Sequence, residues 1–311
     1  MFLVVLGHVL YTTQYNYSDR IIKAAISWIW FFHMPAFAIV SGYFFKTTKT
    51  TKQVLISARN VFSTYVVMQV LLSLCYGPTD VVTMLTIPQY ALWYLLALPI
   101  WRIAAHLLYK MTKNVYFMIL IGIIGCLLAG FVPTSILGFQ RICSFFPFFC
   151  LGMKFNEKKI FDKLQEKRIF KIVSWIVLIA LFVIFIIPNR AICSGMCNIP
   201  YNGLSQFFTR MSVLLIGTIM SVAFFSIIPE NKKLASIGQK TLFIYCYHVF
   251  FILLIIPKIW IVIGVKPNIL YIILYSALVF LLLGSYASRI KFLNYIIKPL
   301  EVLKNSKKQT S

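Results

Sequence analysis

The chain has 311 residues, of which 60% are hydrophobic and 12% charged, and its mean hydropathy is +0.87. Soluble domains carry about 25% charged residues, so this composition excludes a water-soluble globular enzyme, a disordered segment and a fibrous chain. Thirty Lys and Arg stand against seven Asp and Glu, a net charge of +23 that would suggest nucleic acid only in a soluble chain.

Ten apolar segments lie near residues 1–15, 22–45, 54–76, 89–109, 115–131, 138–153, 169–187, 207–228, 241–257 and 268–287. They are continuous and do not alternate, which argues for helices of about 20 residues rather than barrel strands. The expected fold is all-α: a polytopic integral membrane helix bundle of about ten spans. One transmembrane domain covers 1–288 and a basic cytoplasmic tail follows over 289–311, a surface helix on anionic lipid.

The first segment is short. Only about ten apolar residues precede Thr12, Thr13 and Gln14, fewer than a crossing needs. It reads either as a short helix shielded by its neighbours or as a helix whose first turns are missing. The largest polar stretch, 154–168, is too short for a domain, so any chemistry lies within the bundle or at its mouths.

Lys and Arg set the orientation. With the N-terminus inside, predicted cytoplasmic segments hold 23 of them, and the predicted outer segments hold seven: Arg20, Lys23, Arg141, Arg190, Arg210, Lys258 and Lys266. The expected topology is therefore N-in and C-in. The positive charge is accounted for by the membrane, with no nucleic acid.

Ionisable groups inside spans are costly and mark functional sites. His8 lies in the first segment, His33 in the middle of the second and His248 in the ninth. His33 is about 12 residues from either end of its segment, and His248 is about 12 Å along its helix from the cytoplasmic end. The three histidines can share one layer of the inner half of the membrane. The alternative is three separate imidazoles satisfied by hydroxyls such as Tyr11, Ser41 or Tyr245. His106 lies at an interface and needs no special account. Arg102, one turn before it, either snorkels to headgroups or captures an anion. Trp93 and Tyr94 fall at an outer segment end, where interfacial belts place aromatics. Gly42 and Gly152 permit close helix approach. No metal is expected, since the seven cysteines show no close ligand pairing; Cys193 and Cys197 share a polar loop and can form a disulfide if it faces an oxidising space.

The strings VVLGH (4–8), FFHMPAFAIVSGYFF (31–45), LWYLLAL (92–98), FFPFFCLGMKF (145–155) and IYCYHVF (244–250) occur in the order seen in acyltransferase family 3. The chain resembles that family, nearest its fucose 4-O-acetylase-like or capsule polysaccharide O-acetyltransferase branch. The resemblance implies a ten-helix bundle using cytoplasmic acetyl-CoA as acyl donor, and it marks His8 as the leading catalytic candidate. The family's basic residue upstream of that histidine is not reached here, because His8 stands seven residues after Met1. The family's basic-then-Pro-Tyr string reads Arg59 to Tyr65 in this chain, with Thr64 in place of the proline.

The expected reaction is O-acetyl transfer from acetyl-CoA to a hydroxyl of a cell-surface or lipid-linked glycan, in the inner membrane of a bacterial cell. A sugar hydroxyl is a poor nucleophile at neutral pH, and histidine is suited to take its proton. His8 is the candidate base. His33 either orients the acceptor or donates to the developing oxyanion. Arg59 and Arg102 are candidates for the CoA phosphates. Trp93, Tyr94, Arg141 and His248 are expected at the acceptor or behind the reacting groups. The rival reading is a polysaccharide or small-solute transporter using the same histidines as a proton relay.

Overall fold

The computed structural model describes residues 1–14, 20–77, 80–187, 199–229, 231–255 and 268–300. Cys193 and Cys197 lie outside the described residues, so the disulfide expectation is not addressed. Among the described residues the chain is helical and contains no strand.

The helices run α1 (Phe2–Gln14), α2 (Arg20–Tyr43), α3 (Thr51–Tyr76), α4 (Val81–Thr86), α5 (Trp93–Thr112), α6 (Val115–Ala129) and α7 (Phe139–Lys158). They continue as α8 (Ile160–Glu166), α9 (Arg168–Ile186), α10 (Leu204–Ile227), α11 (Lys232–Gly238), α12 (Thr241–Phe250), α13 (Ile269–Leu281) and α14 (Lys291–Ile297). Each predicted apolar segment contains a helix among its described residues. Among the described residues, seven helices are long and apolar enough to cross a membrane, and three apolar helices are shorter: Phe2–Thr12, Val115–Ala129 and Thr241–Leu253. Wider π-type turns extend α12 over Phe251–Ile255 and α13 over Leu282–Tyr286.

What these helices expose fits a lipid surround. On α9, Trp175, Ile176, Ile179, Val183 and Ile184 are each more than half exposed. A contiguous apolar face of that kind is not tolerated in water. Together with the seven long helices it identifies a multi-pass membrane protein.

The chain forms two compact units. The first is made of Met1–Ile22, Asn60–Leu95 and Glu230–Ser311. Within it α1 packs along α13, Phe2 meeting Phe280 edge-on at 6.0 Å. Val4, Val5, Val9 and Leu10 of α1 are buried, as are Ile272, Ser276 and Val279 of α13. Spacings of four and three place the α13 set on one helical face, whereas the buried residues of α1 run most of the way around that short helix. The basic tail is not simply a helix lying on lipid. Thr64 of α3 donates to the Ile297 carbonyl at 2.6 Å, and Tyr247 of α12 donates to the Leu293 carbonyl at 2.9 Å, so α14 is fastened into this unit.

The second unit is made of Lys23–Arg59 and Leu96–Pro229. Here α6 and α7 form a long hairpin, and α9 packs on α10. Gly42 and Gly152 account for the crossing of α2 with α7. A Cβ built on Gly42 would stand 1.8 Å from the Phe149 carbonyl oxygen, and one on Gly152 would stand 1.9 Å from the Ile39 carbonyl oxygen. The helices therefore touch backbone to backbone through two reciprocal pairs, each glycine three residues from the carbonyl its own helix presents.

Candidate active site

In the first unit the sequence brings two of its four histidines together. His8 is on α1 and His248 on α12, and their ring centroids are 5.3 Å apart with the rings inclined by 47°. His8 is half-buried, within a stretch whose other residues from Val4 to Leu10 are buried. His248 is 0% exposed.

The hydrogen bonds of His248 define its tautomer. Its Nδ1 lies 2.7 Å from the Tyr245 carbonyl oxygen and 3.2 Å from that of Ile244. A carbonyl only accepts, so Nδ1 carries the proton and Nε2 the lone pair. Nε2 is buried and has no hydrogen-bond partner among the described residues. Such an atom is costly to enclose, by about 1–3 kcal/mol.

Aromatic residues wall this pair. The Tyr245 ring is 5.7 Å from His248 and 5.8 Å from Tyr94, and Trp93 meets Tyr94 edge-on at 5.9 Å. The predicted belt position of Trp93 and Tyr94 is not what the structure shows: they are 7% and 5% exposed and face protein. Their placement is built from below. The Tyr245 hydroxyl donates to the Ala91 carbonyl, fixing the turn that leads into α5. Gln69 of α3 donates to the Met84 and Ile87 carbonyls at 2.8 and 2.9 Å and accepts from the Gln89 amide at 2.9 Å. One buried amide side chain thus holds the whole segment before Trp93. Neither Gln69 nor Tyr245 was among the predicted site residues.

The second unit holds the other candidates. His33 is buried, with Nδ1 2.8 Å from the Ile29 carbonyl and its ring 6.2 Å from Trp30. By the same argument its neutral form presents a lone pair at Nε2, which accepts rather than donates. That favours orienting a hydroxyl over stabilising an oxyanion. His106 is buried and bonded to Thr51 Oγ1 at 3.0 Å, a structural tie at the start of α3.

Arg102 does not simply snorkel. Its guanidinium donates to Ser57 Oγ at 2.9 Å and to the Ser57 carbonyl at 3.3 Å. It lines a cavity of about 180 Å³ together with Lys49, Ser41, Ser57, Phe44 and Phe45. Two cations and two hydroxyls over an apolar floor make a site for an anion. Arg59 is exposed and is not part of this lining. Arg141 is half-buried on α7.

Arg210, one of the predicted outer charges, is 0% exposed. It donates to the Cys126 carbonyl at 3.1 Å, to Gln140 Oε1 at 3.2 Å and to the Ile199 carbonyl at 3.0 Å, and it lies 4.7 Å from the Tyr201 ring centroid. Tyr201 adds a bond from its hydroxyl to the Leu127 carbonyl at 3.0 Å. The last turn of α6 leaves its carbonyls without helical partners, and Arg210 and Tyr201 supply donors. The available signal was a lone cation within an otherwise apolar segment.

The profile of the acyltransferase domain of acyltransferase family 3 matches residues 1–287. No curated protein and no solved structure matches the chain significantly.

Proposed function

Because the chain belongs to acyltransferase family 3, we propose that it is a membrane O-acetyltransferase that moves an acetyl group from cytoplasmic acetyl-CoA to a hydroxyl of a cell-surface or lipid-linked glycan. The observation that carries this reading is the pair of histidines in the first unit, one accessible and one enclosed, inside an apolar chain.

His8 takes the acceptor's hydroxyl proton as that oxygen attacks the thioester carbonyl. The tetrahedral intermediate collapses with cleavage of the C–S bond. The CoA thiolate leaves and recovers the proton from the His8 imidazolium, which restores the neutral base. Trp93 and Tyr94, packed behind the histidine pair, are assigned a supporting role at the acceptor side. The CoA phosphates are assigned to Arg102 and Lys49, with Arg59 as an outer contact. Ten spans with both termini in the cytoplasm, in a bacterial inner membrane, put the donor on the basic side of the protein. No structural observation favours the transport alternative.

The test is acetyl transfer from radiolabelled acetyl-CoA to membrane glycan. The wild type should transfer, and His8→Ala, inserted at the same level, should fall by about 100-fold or more. Full transfer by His8→Ala would refute the base assignment. No transfer and no acetyl-CoA binding by the wild type would refute the function.

A further inference from the structure

The exposed side chains change character where α13 ends. Along the span, Leu270, Leu274, Leu278 and Leu281 are each about half exposed, and spacings of four, four and three put them on one face, as lipid contact requires. The span ends at Arg289. From there exposed Arg289 and Lys291 alternate with Ile290 and Phe292, and Tyr295 follows one turn on; Phe292 is 69% exposed. Cations interleaved with large apolar side chains at a span end are the composition of a membrane interface. No acidic residue occurs from Gly284 to Leu300, and 289–311 carries six Lys and Arg against Glu301.

The opposite face of α14 is fastened. Leu293 and Ile297, one turn apart, present the carbonyls that accept from Tyr247 of α12 at 2.9 Å and from Thr64 of α3 at 2.6 Å. Asn294, on the next position of the helix, donates from Nδ2 to the Ser288 and Ile290 carbonyls at 2.8 and 3.0 Å, which holds the corner between α13 and α14. Both outside donors lead to the proposed site. Tyr247 directly precedes His248, and Thr64 stands on α3 ahead of Gln69, which holds the segment before Trp93. A seven-residue helix does not persist alone, so the order of α14 depends on what holds its two faces.

We propose that α14 is a lipid-reading clamp: its outward residues Arg289, Lys291, Phe292 and Tyr295 take the headgroup phosphates and upper acyl chains of anionic phospholipid, and its inward carbonyls pass that attachment to α3 and α12. The lipid contact stands by itself, whereas its effect on turnover rests on the acyltransferase reading. Phosphate is what the cations recognise, but a free phosphate has nothing to offer Phe292 and Tyr295, so the occupant is a phospholipid. Each cation beside an anionic surface strengthens attachment by about fivefold.

The experiment uses the full chain in nanodiscs of phosphatidylcholine, alone or mixed with phosphatidylglycerol. Hydrogen exchange over 291–297 reads the attachment. The fluorine NMR signal of fluorotyrosine at 247, assigned by its loss in Tyr247→Phe, reads the tie to Leu293, and acetyl transfer reads the consequence. With phosphatidylglycerol, α14 amides should exchange at least about fivefold more slowly, the Tyr247 signal should shift towards its bonded position, and kcat should rise about twofold or more. Arg289→Gln combined with Lys291→Gln should make all three indifferent to phosphatidylglycerol. Tyr247→Phe should keep the lipid dependence of exchange while its kcat no longer responds.

Equal exchange of α14 in the two membranes, or equal slowing in the double glutamine variant, would overturn the lipid contact. Slowing by inorganic phosphate in phosphatidylcholine alone would overturn it in favour of a free anion. A Tyr247 signal that ignores phosphatidylglycerol while α14 responds would overturn the clamp. Absence of acetyl transfer in every membrane would instead refute the acyltransferase reading, and exchange and the Tyr247 signal would still decide the lipid contact and the tie.

Discussion

Replacing Gly152 with alanine tests the crossing of α2 and α7 at atomic scale. The added Cβ would lie 1.9 Å from the Ile39 carbonyl oxygen and 2.7 Å from its carbon. A carbon and an oxygen need about 3.3 Å, so the helices must part by roughly 1.4 Å at this point. The obstructing atoms are backbone in the middle of a helix, and no rotamer change relieves the clash. Overpacking costs about 1–3 kcal/mol where side chains can give way, so a value near 3 kcal/mol is expected here. At about 2–4 °C per kcal/mol, the melting temperature in detergent should drop by about 6–12 °C. The control is Gly125→Ala on α6, where an added Cβ meets nothing within 4 Å. It should lose no stability, since alanine favours a helix over glycine by about 1 kcal/mol. Separating α2 from α7 would also disturb Ser41 and Phe44, so Gly152→Ala should weaken anion binding in the Arg102 cavity. A Gly152→Ala protein that melts with the wild type would refute the backbone contact.

Arg210→Met should destabilise the protein by about 3 kcal/mol, because the Cys126 and Ile199 carbonyls and the Gln140 amide oxygen lose their donor; Tyr201→Phe should cost about 1 kcal/mol by removing one bond, both read by thermal melts. Arg102→Gln should raise the KM for acetyl-CoA about tenfold with little change in kcat, whereas Arg59→Gln should have a smaller effect because Arg59 lies outside the cavity lining; steady-state kinetics decide. Asp80 caps α4 by accepting from the Thr83 amide at 2.7 Å, and that bond holds its carboxyl below the ordinary aspartate value. The cap therefore contributes at all pH values above the ordinary aspartate range and is lost only as pH falls through the depressed value. Amide exchange at Thr83 should stay slow across the usual aspartate range and become fast in Asp80→Ala at neutral pH.

The helical segments were legible because an apolar run long enough to cross lipid leaves few other readings. Candidate residues were legible by a related argument: a histidine among leucines and phenylalanines stands out wherever it occurs. Pairing was less accessible. The sequence placed His8 and His248 at matching depth, but which histidine meets which depends on how α1 and α12 pack. Trp93 and Tyr94 were read as a belt because an aromatic at a segment end looks the same whether it faces lipid or protein. The partners of Arg210 were not legible either, since its acceptors are mostly backbone carbonyls and carry no residue signature. Gly42 and Gly152 were visible as small residues, while the carbonyls of Phe149 and Ile39 that they admit were not.

The composition of the first unit also sets a schedule for its assembly. His8 leaves the ribosome before His248, which follows 240 residues later. At about 5–20 residues per second, roughly 12–48 s of synthesis separate them. The second unit can close earlier, since its last residue is Pro229. The first unit must keep α1 and the start of α5 waiting for α12, and it is fastened by Thr64 and Tyr247 only when α14 arrives. A ribosome that stalls or terminates before residue 248 would therefore leave a largely complete second unit and a first unit without α12.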